Sequence, residues 1–132
     1  MSLNILIVDD SRLSRCAIRK TLRLSGIPID QIFEAANGRE GLELMDRQWM
    51  DLLIADLNMP EMSGYQMVDR LEDSGILGDL PVVVISTERN QAQIERLLRK
   101  GVAKFIGKPF KPELLRDMVH DLFGFPMTAD EE

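Results

Sequence analysis

Five residues have the types needed to move a phosphoryl group: Asp9, Asp10, Asp56, Ser86 and Lys108. The two adjacent acids end the first apolar run of the chain, Asp56 ends the third, Ser86 the fourth, and Lys108 follows the fifth. Carboxylates gathered at one place repel one another at neutral pH, and a divalent cation among them relieves the repulsion. All-oxygen ligands select a hard ion, so Mg²⁺, or Mn²⁺ in its place, is expected on Asp9, Asp10, Asp56 and the backbone carbonyl of Asn58. With one cysteine and one histidine in the chain, no soft ligand set favours zinc. A carboxylate beside such an ion, faced by an ammonium and a hydroxyl, can attack phosphorus and carry an acyl phosphate. Asp56 is the central candidate; Lys108 would neutralise the transferring oxygens and Ser86 would hydrogen-bond one of them.

Something must bring these residues to one place. Short apolar runs predict strands over Asn4–Val8, Gln31–Ala35, Leu52–Ala55, Pro81–Ile85 and Val102–Ile106. Helical spacing lies between and after them: Leu13, Ala17, Ile18 and Leu22; Leu42, Met45 and Trp49; Tyr65, Val68 and Leu71; Ile94, Leu97 and Leu98; then Leu114, Leu115, Met118, Val119 and Leu122. Strands apolar throughout, such as Val82-Val83-Val84-Ile85, need cover on both faces, which alternating helices supply in a parallel doubly wound α/β sheet. Such a sheet gathers its ligand site at the carboxyl ends of the strands. Within Asp56 to Gly64, rigid Pro60 and permissive Gly64 fit a fixed loop, with Ser63 as the N-cap of the third helix. Lys108-Pro109 could adopt the cis form and aim the lysine inward.

The composition limits the functions available. At 132 residues and 45% hydrophobic content the chain suits one domain, expected over residues 1–125, with 126–132 as a short acidic disordered tail. A net charge of −6 disfavours direct nucleic-acid binding. The first apolar run is too short and too interrupted for a signal peptide or a membrane span, and a lone cysteine fits a reducing cytoplasmic setting.

Plainer roles compete for the same residues. Asp9 and Asp10 could cap the first helix, with Ser11 sharing the task. Cys16 is expected as a buried small residue and His120 as an exposed one, while the methionines fill the core and Trp49 makes a helix-end contact.

Val8-Asp9-Asp10, Asp56 with Met59-Pro60 and Gly64, Ser86, and Lys108-Pro109 occur in the order that resembles the receiver domains of two-component response regulators, of the single-domain chemotaxis-regulator kind. The match spans about Asn4 to Phe123. The resemblance implies a five-stranded flavodoxin-like (βα)5 sheet in the order 2-1-3-4-5. It also implies that Asp56 accepts phosphate from a sensor histidine kinase or a histidine phosphotransfer protein and loses it slowly by self-catalysis, without the chain being an enzyme in the usual sense. The Ser86 hydroxyl would then move toward the phosphoryl group and Phe105 turn inward, remodelling the fourth and fifth helices for a downstream output protein. Asn58 and Glu88 would flank the attacking water and tune the lifetime. The first helix, with Arg12, Leu13 and Arg15, is the implied kinase-docking side. A monomer is expected, with dimerisation on phosphorylation left open. Two positions depart from the family: Phe105 stands where tyrosine is common, and Thr87 where a smaller residue is.

Three other readings are available. One is a receiver-like module that binds proteins without phosphorylation. Another is a phosphatase of the haloacid dehalogenase type, whose nucleophile follows the first strand in an Asp-x-Asp pattern under a cap domain; here the acids are adjacent and little length is left for a cap. A flavin module on the same sheet would need a phosphate cradle where Asp9-Asp10-Ser11-Arg12 places acid.

Overall fold

The computed structural model describes residues 2–125; the expected tail at 126–132 lies outside them. Five βα units follow one another: β1 (Leu3–Val8), α1 (Arg12–Leu24), β2 (Ile29–Ala35), α2 (Gly38–Arg47), β3 (Leu52–Ala55), α3 (Gly64–Asp73), β4 (Val82–Ser86), α4 (Gln91–Lys100), β5 (Lys104–Gly107) and α5 (Pro112–Phe123). A single 3₁₀ turn, Ile76–Gly78, precedes β4. The strands form one parallel sheet in the order β2-β1-β3-β4-β5, the doubly wound order expected.

Side-chain alternation divides the core into two layers. Leu6, Val8, Leu53, Ala55, Val82 and Val84 face one way and meet Met67, Val68, Leu71 and Leu97 from α3 and α4. Ile5, Ile7, Leu52, Ile54, Val83, Ile85 and Ile106 face the other way and meet Ile18, Leu22, Leu115 and Val119 from α1 and α5. β4, apolar from Val82 to Ile85, is thus buried on both faces, and its edges are paired with β3 and β5.

Several expectations give way to local geometry. The fifth strand starts two residues late, because Gly101 ends α4 at φ +126° and the Val102 amide turns back to the Leu97 carbonyl. Trp49 lies beyond the end of α2; the residue is 66% exposed and its indole N–H donates to Asp51. On α1 the buried residues are Ile18 and Leu22. At about 100° per residue, Cys16 falls roughly opposite Ile18, and it is exposed; Leu13 is 81% exposed as well, and Ala17 is also exposed. His120 is the converse case. It is buried with Nε2 2.7 Å from the Ser25 carbonyl and Nδ1 3.2 Å from the Phe125 carbonyl, and a neutral ring donates to one of these two acceptors.

Candidate functional site

The carboxyl ends of β1, β3, β4 and β5 bring Asp9, Asp56, Ser86 and Lys108 to one rim. Ladder bonds continue past the strands and hold the backbone there: Asp9 N–H donates to Ala35, Asp56 N–H to Val8, and Lys108 N–H to Ser86. The Lys108 ammonium bridges the two acids, 2.8 Å from Asp9 Oδ2 and 3.2 Å from Asp56 Oδ2. Burial presses the lysine pKa down, but the hydrogen bond and charge of Asp9, and then of Asp56, hold it above its ordinary value. The lysine is therefore a fixed cation at neutral pH.

The acids differ in their surroundings. Asp9 is 1% exposed and fully engaged: Oδ1 accepts from the Ser11 amide, and Oδ2 accepts from Ser14 Oγ and from Lys108. Ser11 itself caps α1 by accepting from the Ser14 amide, so capping is shared, with Asp9 bonding the cap from outside the helix. Asp10 is exposed and Asp56 is 9% exposed, with Asp56 Oδ1 accepting from the Leu57 amide. One carboxylate oxygen from each of Asp9, Asp10 and Asp56 lies within 4.8 Å of the other two. Three hard oxygens at that spacing fit a divalent cation such as Mg²⁺. Asp9 and Asp56 each have a partner on both oxygens, Asp56 from the Leu57 amide and Lys108, whereas the exposed Asp10 carboxylate faces the same space. Asn58 follows two residues after Asp56, exposed in the loop.

That loop is built around a close approach. A Cβ on Gly64 would stand 2.1 Å from the Asp56 carbonyl oxygen, so glycine is needed here for space and not for a positive φ. Ser63 caps α3 in a full capping box with Gln66, as its position in the sequence predicts. Lys108-Pro109 is cis.

Ser86 is fully buried, and its Oγ accepts from the Glu88 amide at 3.2 Å. Thr87 is exposed and lines a groove with Lys108, Pro109 and Phe110. Phe105 is half-buried against the α3–α4 layer. The Glu88 carboxylate accepts from the Tyr65 hydroxyl and from the amides of Arg89 and Asn90, and these bonds, the phenol first, hold its pKa below the ordinary value. Arg15, expected on a docking face, is instead turned inward, its side chain 16% exposed and bonded to Glu34 and the Asp9 carbonyl.

Sequence reasoning missed Ser14, Tyr65 and Arg89. Ser14 had a signal, since it stands at the third position of the first helix, where side chains reach back to the cap. Tyr65 reads as a core residue by spacing, and Arg89 has no pattern at all. The Arg89 guanidinium nevertheless donates to the carbonyls of Thr87, Glu88 and Lys108, tying the two loops that carry Ser86 and Lys108.

A chemotaxis protein CheY homolog of Campylobacter jejuni is 34% identical over 123 residues, covering 92% of this chain and 93% of that protein. Chemotaxis protein CheY1 of Helicobacter pylori is 33% identical, covering 92% of this chain and 98% of its own length. Among solved structures, the chemotaxis response regulator CheY4 of Vibrio cholerae superposes with a TM-score of 0.80 at 28% identity, covering 92% of this chain and 99% of the other. The response regulator receiver domain family matches residues 5–120. Sheet order, relatives and family match agree, and the chain belongs to the response regulator receiver domains of two-component signalling.

Proposed function

We propose that this chain is a phosphorylation switch in which Asp56 accepts a phosphoryl group from a sensor histidine kinase or a histidine phosphotransfer protein in the cytoplasm. The observation that carries the reading is the Lys108 ammonium, from a residue 99 positions after Asp9 and 52 after Asp56, held between those two carboxylates. An Asp56 carboxylate oxygen attacks phosphorus as the bond from phosphorus to the donor's imidazole nitrogen or acyl oxygen breaks. The electron pair leaves with the donor, and an imidazole that carries a proton on its other ring nitrogen departs neutral. Lys108 moves from bridging two acids to meeting the arriving phosphoryl oxygens, so little reorganisation is needed. Ser86 donates its hydroxyl to one of those oxygens. Asp9, Asp10, Asp56 and the Asn58 carbonyl would hold Mg²⁺, which would supply charge neutralisation on the transferred group. Hydrolysis returns the carboxylate: water adds to phosphorus, the acyl phosphate bond breaks and inorganic phosphate leaves, with Asn58 and Glu88 positioned in the flanking loops to affect the rate.

Residues 1–125 act as one signalling unit in this reading. The exposed Leu13 and Arg12 on α1 present the donor-docking side, and the α4–β5–α5 face, with Phe105 beneath it, presents the output side to a downstream protein. The experiment is incubation with Mg²⁺ and a small acyl phosphate, followed by intact-mass measurement. Wild type gains one phosphoryl group and Asp56→Asn gains none. A gain in neither would indicate a module that binds partners without phosphorylation, and an equal gain in both would move the acceptor elsewhere.

A further inference from the structure

The loop between β4 and α4 is fastened on two sides. Ser86 Oγ takes its hydrogen bond from the Glu88 amide, so that amide fixes where the hydroxyl rests. Glu88 is in turn held by its carboxylate, one oxygen on the Tyr65 hydroxyl and the other on the amides of Arg89 and Asn90. Asn90 caps α4, so the same carboxylate also meets the start of that helix. Across the loop, the Arg89 guanidinium joins the carbonyls of Thr87 and Glu88 to that of Lys108.

Tyr65 is a firm post for this arrangement. It is the residue after Gly64, whose backbone is packed so closely on Asp56 that a Cβ there would overlap the Asp56 carbonyl. The capping box at Ser63 and Gln66 fixes the same turn of α3. A rigid phenol on α3 therefore holds a carboxylate two residues from the hydroxyl that must reach the phosphoryl group.

We propose that the Tyr65–Glu88 pair is a latch that keeps the Ser86 hydroxyl turned to its own loop, and that Tyr65 is thereby a positioning residue for phosphoryl transfer at Asp56. The proposal rests on Asp56 being the phosphoacceptor. Ser86 Oγ can accept from the Glu88 amide and donate its own O–H at the same time, so when it moves to donate to a phosphoryl oxygen the loop carrying Glu88 moves with it, straining or releasing the bond from Tyr65. The latch stabilises the resting arrangement and raises the barrier to transfer by the same interaction. Its release also alters one wall of a crevice of about 170 Å³ between α3 and α4, lined by Tyr65, Asp69, Gln93, Arg96, Leu97 and Lys100. The far end of that crevice stays tied by Lys100 to Asp69 and Glu72. Phosphorylation is thus reported on the α3–α4 face.

Tyr65 is the one tyrosine of the chain, so ring-carbon labelling gives a single resonance that reads the latch in the full-length protein. In Glu88→Gln that resonance is expected to move toward the position of a free phenol. In wild type it is expected to move the same way when Mg²⁺ and a small acyl phosphate are added. Tyr65→Phe should be phosphorylated faster by on the order of tenfold, the weight of one hydrogen bond to an ionised group, and adding Glu88→Gln should give little further gain. A merely structural tyrosine would lower the melting midpoint and leave the rate and the resonance unmoved. Wild type that gains a phosphoryl group by mass while its tyrosine signal stays fixed overturns the latch and leaves the phosphoacceptor reading standing, as does a Tyr65→Phe variant with the wild-type rate. Wild type that gains no phosphoryl group overturns the phosphoacceptor reading and the latch with it.

Discussion

The Tyr65 phenol is pushed up to about 12 from the usual 10, first by its partial burial, then by its hydrogen bond to Glu88 and by the Glu88 charge. A folded-state pKa above the unfolded one means that the group stabilises the fold fully below about pH 10 and loses that contribution as pH rises toward 12. The near-ultraviolet band of tyrosinate should therefore appear only in strong alkali. In Glu88→Gln it should appear earlier, but still above the ordinary value because the burial remains. Equal titration in the two proteins would mean that the carboxylate exerts no hold on the phenol. The sequence made the two sides of this site unequally legible. Asp9, Asp56, Ser86 and Lys108 each follow an apolar run, so the chain order alone predicts that they converge. Tyr65 and Arg89 have no such marker: their partners are a loop carboxylate and three loop carbonyls, and loop geometry is not periodic.

Among the elements, the turn from β3 into α3 has the tightest tolerance. Gly64 N–H donates to the Leu57 carbonyl at 2.8 Å, and its α-carbon passes directly over the Asp56 peptide. Gly64→Ala must push that peptide aside, since backbone has nowhere to yield; the expected loss is about 3 kcal/mol or more, in the upper range for an overpacked site. Denaturant unfolding measures it, and a midpoint equal to wild type would mean that the loop has a second accessible path. The displacement should also misplace Asp56, lowering phosphoryl gain by more than the lost stability alone explains. The glycine was readable as a turn residue, but the reason for it was not, because close approach depends on where α3 lies against β3. Strands β3 and β4 were legible to within a residue, since continuous Val, Ile and Leu between two helical stretches leaves little choice of boundary. The start of β5 was not, because Val102 fits a strand pattern equally well while serving as the return from the Gly101 turn. The solvent side of α1 was misread for a related reason. Leu13, Ala17, Ile18 and Leu22 fit a helical stripe, yet neighbouring α5 and the sheet cover only the part of it that holds Ile18 and Leu22.

For the whole molecule, the sheet order decides both what the site can do and what it costs. Placing β1 and β3 side by side in the middle of the sheet brings Asp9 and Asp56 together, and Asp10 stands exposed beside them just before the cap of α1. The fold therefore carries three carboxylates within 4.8 Å of one another, with Lys108 as the cation among them. One ammonium against three acids leaves net repulsion in the native state that the unfolded chain escapes. Function and stability then pull in opposite directions at this rim, as is common where a site must stay ready for a ligand. A divalent cation that binds the folded chain and not the unfolded one should raise stability by mass action, by about 2.7 kcal/mol at a hundredfold excess over its dissociation constant. Removing one acid should reproduce part of that gain without metal. Asp10→Asn is the cleanest variant, because Asp10 is exposed whereas Asp9 is bonded to Ser11, Ser14 and Lys108. Thermal melts of both proteins, with a chelator and with Mg²⁺, separate the two effects. Wild type should melt lower than Asp10→Asn in the chelator and show the larger rise with Mg²⁺. If both proteins respond equally to Mg²⁺, the ion binds elsewhere and the three acids are not its site. If neither responds and the chelated midpoints coincide, Lys108 alone neutralises the rim.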